Sequence, residues 1–208
     1  MPDVEGEKST GRVEAFSDGV FAIAITLLIL DIKVPPVAAN GTGSELLASL
    51  WAERPAYLAY FMSFVVILVM WVNHHRIFTL VRATDAAFMY WNGLLLMLVT
   101  IVPFPTSLLS AYLGESGVRA RIGAAIYAGH GLAIALAFTA LWRHATRRAW
   151  LLMPGSEEEV RRLSAQYRLG PLMYLSAFAV AFVSAWMSVS LCLVFALSFS
   201  LRGFTQKD

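Results

Sequence analysis

Charge is scarce in this chain. Only 14% of its 208 residues are Asp, Glu, Lys or Arg, where a soluble domain carries nearer a quarter. A single cysteine, Cys192, excludes an intrachain disulfide and a cysteine metal cluster. It stands in an apolar run and reads as a small packing residue. The net charge of +2 is too small to suggest nucleic-acid binding, and the basic residues gather in loops. Gly-x-Ser-x-Gly, His-Glu-x-x-His and the P-loop are all missing, so no enzyme signature and no cofactor is expected. A cleavable signal peptide is also missing by pattern. The first ten residues are polar and mixed in charge, and the apolar run after them holds Asp18 and is too long for a signal segment.

Apolar residues are what the chain has. They make up 58% of it, with a mean hydropathy of +0.65. A soluble core of this size cannot hide so much apolar surface, whereas lipid solvates it. The sequence therefore predicts an all-α integral membrane protein, one transmembrane domain over residues 1–208. A helix needs about 20 apolar residues to cross the hydrocarbon core. Six segments qualify, at about 12–34, 55–78, 85–109, 122–142, 169–184 and 186–201. Pro35-Pro36 closes the first. Ser44 to Ala52 reads as a short amphipathic helix at the interface. Pro103 and Pro105 kink the third span, and neighbours must re-satisfy the freed carbonyls. A charged linker covers 143–168. The last region, Leu169–Leu201, is too long for one span and short for two; two helices with a turn near Ser184 to Ser188 fit best, with one long tilted helix as the alternative.

Orientation follows from the distribution of Lys and Arg. Six spans put Lys8, Arg12, Arg76, Arg82, Arg143, Arg147, Arg148, Arg161, Arg162, Arg168, Arg202 and Lys207 on one side, and Lys33, Arg54, Arg119 and Arg121 on the other. Both termini are therefore expected in the cytoplasm, in a multi-pass protein of the cell membrane. The bias rests mostly on the 143–168 linker.

Asp18 is the anomaly of the first span. A carboxylate at mid-membrane costs roughly 2.5–3.5 kcal/mol and is tolerated only with partners or water. It either locks helices together, with Ser17 and Arg12, or takes part in transport. Val20, Ile23, Leu27 and Leu30 form one stripe of the same helix, flanked by Phe16, Gly19 and Thr26. Periodicity alone lets that stripe face lipid or another helix. Asp18 points about 140° away from Ile23, by the helical repeat. Other polar candidates are Trp71, Asn73, His74 and His75 near the end of the second span. One of these histidines is a candidate partner for Asp18 or Ser17. His130 reads as a packing residue between two glycines. Asp31 and Lys33 end the first helix, and Asp31 either concentrates cations there or is a solvated end charge. Trp51, Tyr57, Tyr112, Trp142 and Trp150 suit an aromatic belt.

The stretch Arg12-x-x-x-Phe16-Ser17-Asp18-Gly19-Val20-Phe21-Ala22-Ile23, continued by Thr26-Leu27-Leu28, resembles the signature of the transmembrane protein 175 family, the lysosomal potassium channel and its bacterial relatives. Trp71-Val72-Asn73-His74-His75-Arg76 is also similar to family sequence. The resemblance implies a potassium-selective channel with K+ in transit, no tightly bound metal, and six helices per repeat. The first helices would line the pore. This chain has one copy of the motif, so the resemblance implies a homotetramer, and four first helices around a closed rotation axis can enclose a pore where one cannot. On this reading Ile23 forms the narrowest hydrophobic ring, Leu27 and Leu30 form further rings, and Thr26 offers hydroxyls beside the constriction. Arg12, Phe16, Ser17 and Asp18 would hold the helix ends, with Trp71, His74 and His75 in the same network and Asp31 at the outer mouth. No Thr-Val-Gly-Tyr-Gly filter is present. The alternative is a proton leak or proton-coupled transporter that uses Asp18 and a histidine.

Overall fold

The computed structural model describes residues 4–35, 41–115 and 117–204. Pro36, expected to help end the first span, and Lys207, counted on the cytoplasmic side, lie outside them. Eight α-helices occur among the described residues: α1 (Val4–Leu27), α2 (Gly43–Ala52), α3 (Arg54–Leu80), α4 (Ala86–Ile101), α5 (Pro103–Tyr112), α6 (Val118–Arg147), α7 (Glu157–Ala181) and α8 (Ala185–Phe204). Among the described residues four stretches are long and apolar enough to cross a membrane: Thr10–Asp31, Arg54–Leu80, Ala86–Tyr112 and Val118–Arg147. The chain is an integral membrane protein on this ground. Ala185–Phe199 is a shorter apolar helix.

Local chemistry sets the boundaries. α1 tightens into a 3-10 turn over Leu28–Asp31. Thr42 caps α2 reciprocally with Glu45: its hydroxyl accepts from the Glu45 N–H, and the Glu45 carboxylate accepts from the Thr42 N–H. Proline at the first turn opens α3 and α5, where its missing N–H costs nothing. Pro103 breaks the third apolar stretch at Val102, whose N–H turns to Val99 O. The carbonyl of Leu98, left without that donor, is met by His130 Nε2 of α6 at 2.9 Å. Pro171 likewise frees Tyr167 O, four residues back, and the Thr139 hydroxyl donates to it at 3.1 Å. His130 and Thr139 thus mend two proline breaks from a neighbouring helix.

The region read as a linker, 143–168, is mostly helical. α6 continues to Arg147, and α7 starts at Glu157. Charge favours both extensions. His144 and Arg147 lie in the last turn of α6, and Glu157, Glu158 and Glu159 in the first turn of α7, each complementing the helix dipole. Glu158 also pairs with Arg161 and Arg162 one turn on. The final region is two helices rather than one, parted at Phe182–Ser184, where the Ser184 hydroxyl accepts from Met187 N–H at 3.3 Å. Trp142 is not a belt residue: it is 2% exposed and its indole N–H donates to Ser164 at 2.9 Å. Cys192 is buried among alanines of the core.

Two apolar clusters fill the bundle. One joins α1, α3, α4, α6 and α7 around Phe21, Ile67, Phe88 and Leu95; the other joins α3, α5, α6, α7 and α8 around Ala59, Leu109, Ala124 and Ala177. Where α6 meets α7 the packing is close. Tyr174 lies so near Gly131 that a Cβ there would fall 2.8 Å from its ring, the use of small residues typical of helix contacts in lipid. A Thr106–Ser63–Tyr127 hydroxyl chain is buried between α3, α5 and α6.

At the end of the bundle rich in arginine, the α3–α4 and α6–α7 connections pair as an antiparallel bridge between Val81 and Leu152. Arg82 N–H donates to Leu151 O at 2.9 Å and Met153 N–H to Leu80 O at 2.9 Å. The Thr10 hydroxyl of α1 donates to Arg82 O at 3.2 Å. Beside this seam Asp85 caps α4 through Phe88 N–H and meets His144 and Arg148.

Candidate functional site

α1 presents two unlike faces. Ser17, Phe21, Ala24 and Leu28, spaced as one helical row, are buried against α3 and α4. On the other side Phe16, Ile23, Leu27 and Leu30 are 68%, 60%, 42% and 62% exposed. Val20 is half-buried between the two faces. The stripe identified from periodicity is therefore a bare apolar surface of the single chain. Thr26 lies on it. Its hydroxyl donates back to Ile23 O at 2.9 Å, which leaves the oxygen lone pairs facing outward.

The buried row is held by polar contacts. Asn92 of α4 donates its amide to Ser17 Oγ at 3.0 Å and receives His74 Nε2 of α3 on its oxygen at 2.8 Å. This pattern fixes the amide orientation and puts the histidine proton on Nε2. His74 is fully buried, stacked on Phe78 at 4.6 Å and tilted against Phe21 at 5.2 Å. Its Nδ1 has no partner. Ser17 completes the line by donating to Val13 O within α1. One turn away the Trp71 indole N–H donates to Asp18 Oδ1 at 2.8 Å. His75 Nδ1 meets Glu14 at 2.9 Å.

Of the residues read as one network, Ser17, Asp18, Trp71, His74 and His75 are brought together in three contacts of α1. Arg12 and Phe16 are not; both side chains are exposed. The structure adds two partners that the sequence reading lacks, Asn92 and Glu14. Asn92 is the only side-chain amide in the apolar run 86–101, which is the signal that marks it, and Glu14 lies inside the Arg12–Ile23 motif. No histidine bonds Ser17 directly; Asn92 stands between. Asn73, expected near this cluster, instead faces α7, where Gln166 and Tyr167 reach it. Asp31 is half-buried and accepts from the Ser107 hydroxyl of α5, while its second oxygen is buried without a partner.

The family model described as the endosomal/lysosomal potassium channel TMEM175 matches residues 12–103, the part of the chain that holds all three contacts. A potassium channel of Chamaesiphon minutus is 56% identical over 207 residues, covering 98% of this chain and 99% of that protein. The chain belongs to the TMEM175 family. Its fold is that of the family as well: the crystal structure of a lysosomal potassium-selective channel TMEM175 homologue from Chamaesiphon minutus superposes with a TM-score of 0.83 at 53% identity, over 95% of this chain and 99% of that one. The human endosomal/lysosomal proton channel TMEM175 is 36% identical over 187 residues, which are 85% of this chain and 37% of the human protein. Within the matched residues, Phe16-Ser17-Asp18 lies on the boundary between the two faces of α1, with Phe16 exposed and Ser17 buried.

Proposed function

We propose that four copies of this chain form a potassium-selective channel of the cell membrane, each crossing it six times with both termini in the cytoplasm. The first helices surround the axis. Ile23 makes the narrow hydrophobic ring, Leu27 and Leu30 make further rings, and Thr26 oxygens stand beside the constriction. The observation that carries the reading is the bare stripe of Ile23, Leu27 and Leu30 on a helix whose other face is fully packed. A closed fourfold assembly gives that stripe a common interior. The names of the bacterial relative and the solved homologue supply the ion. A greasy ring passes a partly dehydrated ion and gates by dewetting. Ser17, Asp18, Trp71, His74 and His75 then act behind the pore, holding α1 in register with α3 and α4. Ile23→Asn tests this in proteoliposomes: potassium flux rises and sodium begins to pass. Flux indifferent to Ile23 contradicts it.

A second reading is a proton leak or proton-coupled transport through Asp18 and a histidine. The name of the human relative favours it, as does the Glu14–His75 contact on α1. It predicts flux that follows a pH gradient in the absence of potassium and vanishes in Asp18→Asn.

A further inference from the structure

Two grooves meet at Arg143. One is apolar, about 500 Å³, and runs between α4 and α6 past Leu98, Leu136 and Leu94 toward Arg143. The other, about 450 Å³, lies between α6 and α7 and is lined by Arg143 and Arg168 together with Thr146 and Ser164. Thr139 borders both.

Among the described residues none neutralises the charge in this place. Among the described residues neither Arg143 nor Arg168 has an ion pair or a side-chain hydrogen bond. Asp85 is already engaged with His144 and Arg148, and Glu158 with Arg161 and Arg162. The hydroxyls lining the polar groove donate to backbone carbonyls, Thr139 to Tyr167 O, Thr146 to Trp142 O and Ser164 to Val160 O. The two guanidinium groups lining this groove are thus left with free donors, and a planar guanidinium pairs well with phosphate oxygens. The adjoining apolar groove lies on the outside of the single chain, and Leu136 on its wall is 52% exposed.

We propose that this double groove binds one anionic phospholipid, with its phosphate on Arg143 and Arg168 and one acyl chain along Leu94, Leu98 and Leu136. A basic pocket between helices beside an apolar channel selects a net negative headgroup over a zwitterionic one. The site depends on the membrane setting and not on which ion the protein conducts.

The test is native mass spectrometry of the full chain, purified and exchanged into phosphatidylglycerol or phosphatidylcholine. The wild type retains phosphatidylglycerol preferentially. Arg143→Gln with Arg168→Gln lowers that retention roughly 25-fold, at about fivefold per arginine near the membrane surface. Leu136→Trp, which fills the apolar groove and leaves both arginines, also lowers it, and it decides the matter if the double variant does not fold. Arg161→Gln with Arg162→Gln removes the same charge elsewhere and leaves retention unchanged. Equal retention of the two lipids, or retention that survives the double substitution, overturns the proposal. So does displacement by millimolar glycerol 1-phosphate, which would make the ligand a soluble phosphate. Lipid found on the single chain but absent from its oligomers also overturns it, because a second copy would then fill the groove.

Discussion

His74 donates Nε2–H to the Asn92 oxygen across 2.8 Å, and the same amide donates onward to Ser17. One side chain of α4 thereby joins α3 to α1 at the Phe16-Ser17-Asp18 segment. The joint lies on the buried face of α1, away from the exposed stripe of Ile23, Leu27 and Leu30.

Asn92→Leu keeps the side-chain size and removes both bonds, leaving Ser17 and His74 buried with one partner fewer each. The expected loss is about 1–2 kcal/mol, since hydrogen bonds between helices in membranes are individually modest. A lower melting midpoint in detergent checks it. An unchanged midpoint would mean that apolar packing alone holds α1.

Trp71→Phe removes the N–H that meets Asp18 and keeps an aromatic ring. Trp71 is 38% exposed, so the cost should stay below about 1 kcal/mol. Ion selectivity should be unaltered, because Asp18 lies behind the stripe. A shift in selectivity equal to that of an Ile23 variant would place Asp18 in the ion path.

Asp85 provides a pH dependence. It lies just before the apolar stretch that begins at Ala86. Burial raises its pKa, but the Phe88 N–H, His144 and Arg148 together outweigh burial and hold it below the ordinary value of 3.8. The sign follows. A carboxyl with a depressed folded-state pKa adds stability that is present above its unfolded value and is lost as pH falls through the folded one. Asp85→Asn can still cap α4 but loses the ion pairs, so at neutral pH it should melt lower by about 1 kcal/mol. Denaturation across pH checks it: the gap between wild type and variant closes as pH falls below 3.8.

Gly131→Ala tests the α6–α7 contact. A Cβ there meets the buried Tyr174 ring at 2.8 Å, too close unless the ring or its helix shifts. Overpacking of this kind costs about 1–3 kcal/mol. Adding Tyr174→Leu should recover part of the loss, as a double-mutant cycle would show.

The first four apolar helices follow directly from runs that only lipid can solvate. Their ends do not follow where charged residues are helical, as at Arg147 and Glu157, because charge marks the limit of the apolar layer and not of the hydrogen-bonded helix. Asp18 stands out in the sequence because a charge in an apolar run is costly, and Trp71 and His74 are legible beside it. Asn92, the lone amide of its apolar run, stands out less, since a neutral amide is a weaker signal than a charge, yet it bonds both His74 of α3 and Ser17 of α1. Residue type places Trp142 at the interface, but its N–H finds Ser164 inside. The stripe of Ile23, Leu27 and Leu30 is visible as a period. That it is bare depends on tertiary packing, which no period reveals.

Potassium selectivity through the Ile23 ring is read most simply from a reversal potential. Wild-type protein in a planar bilayer, with potassium on one side and sodium on the other at equal pH, should reverse far toward the potassium equilibrium potential. Ile23→Asn should move that reversal toward zero. A wild-type reversal near zero, or one that follows an imposed pH difference instead, would contradict a potassium-selective pore lined by α1.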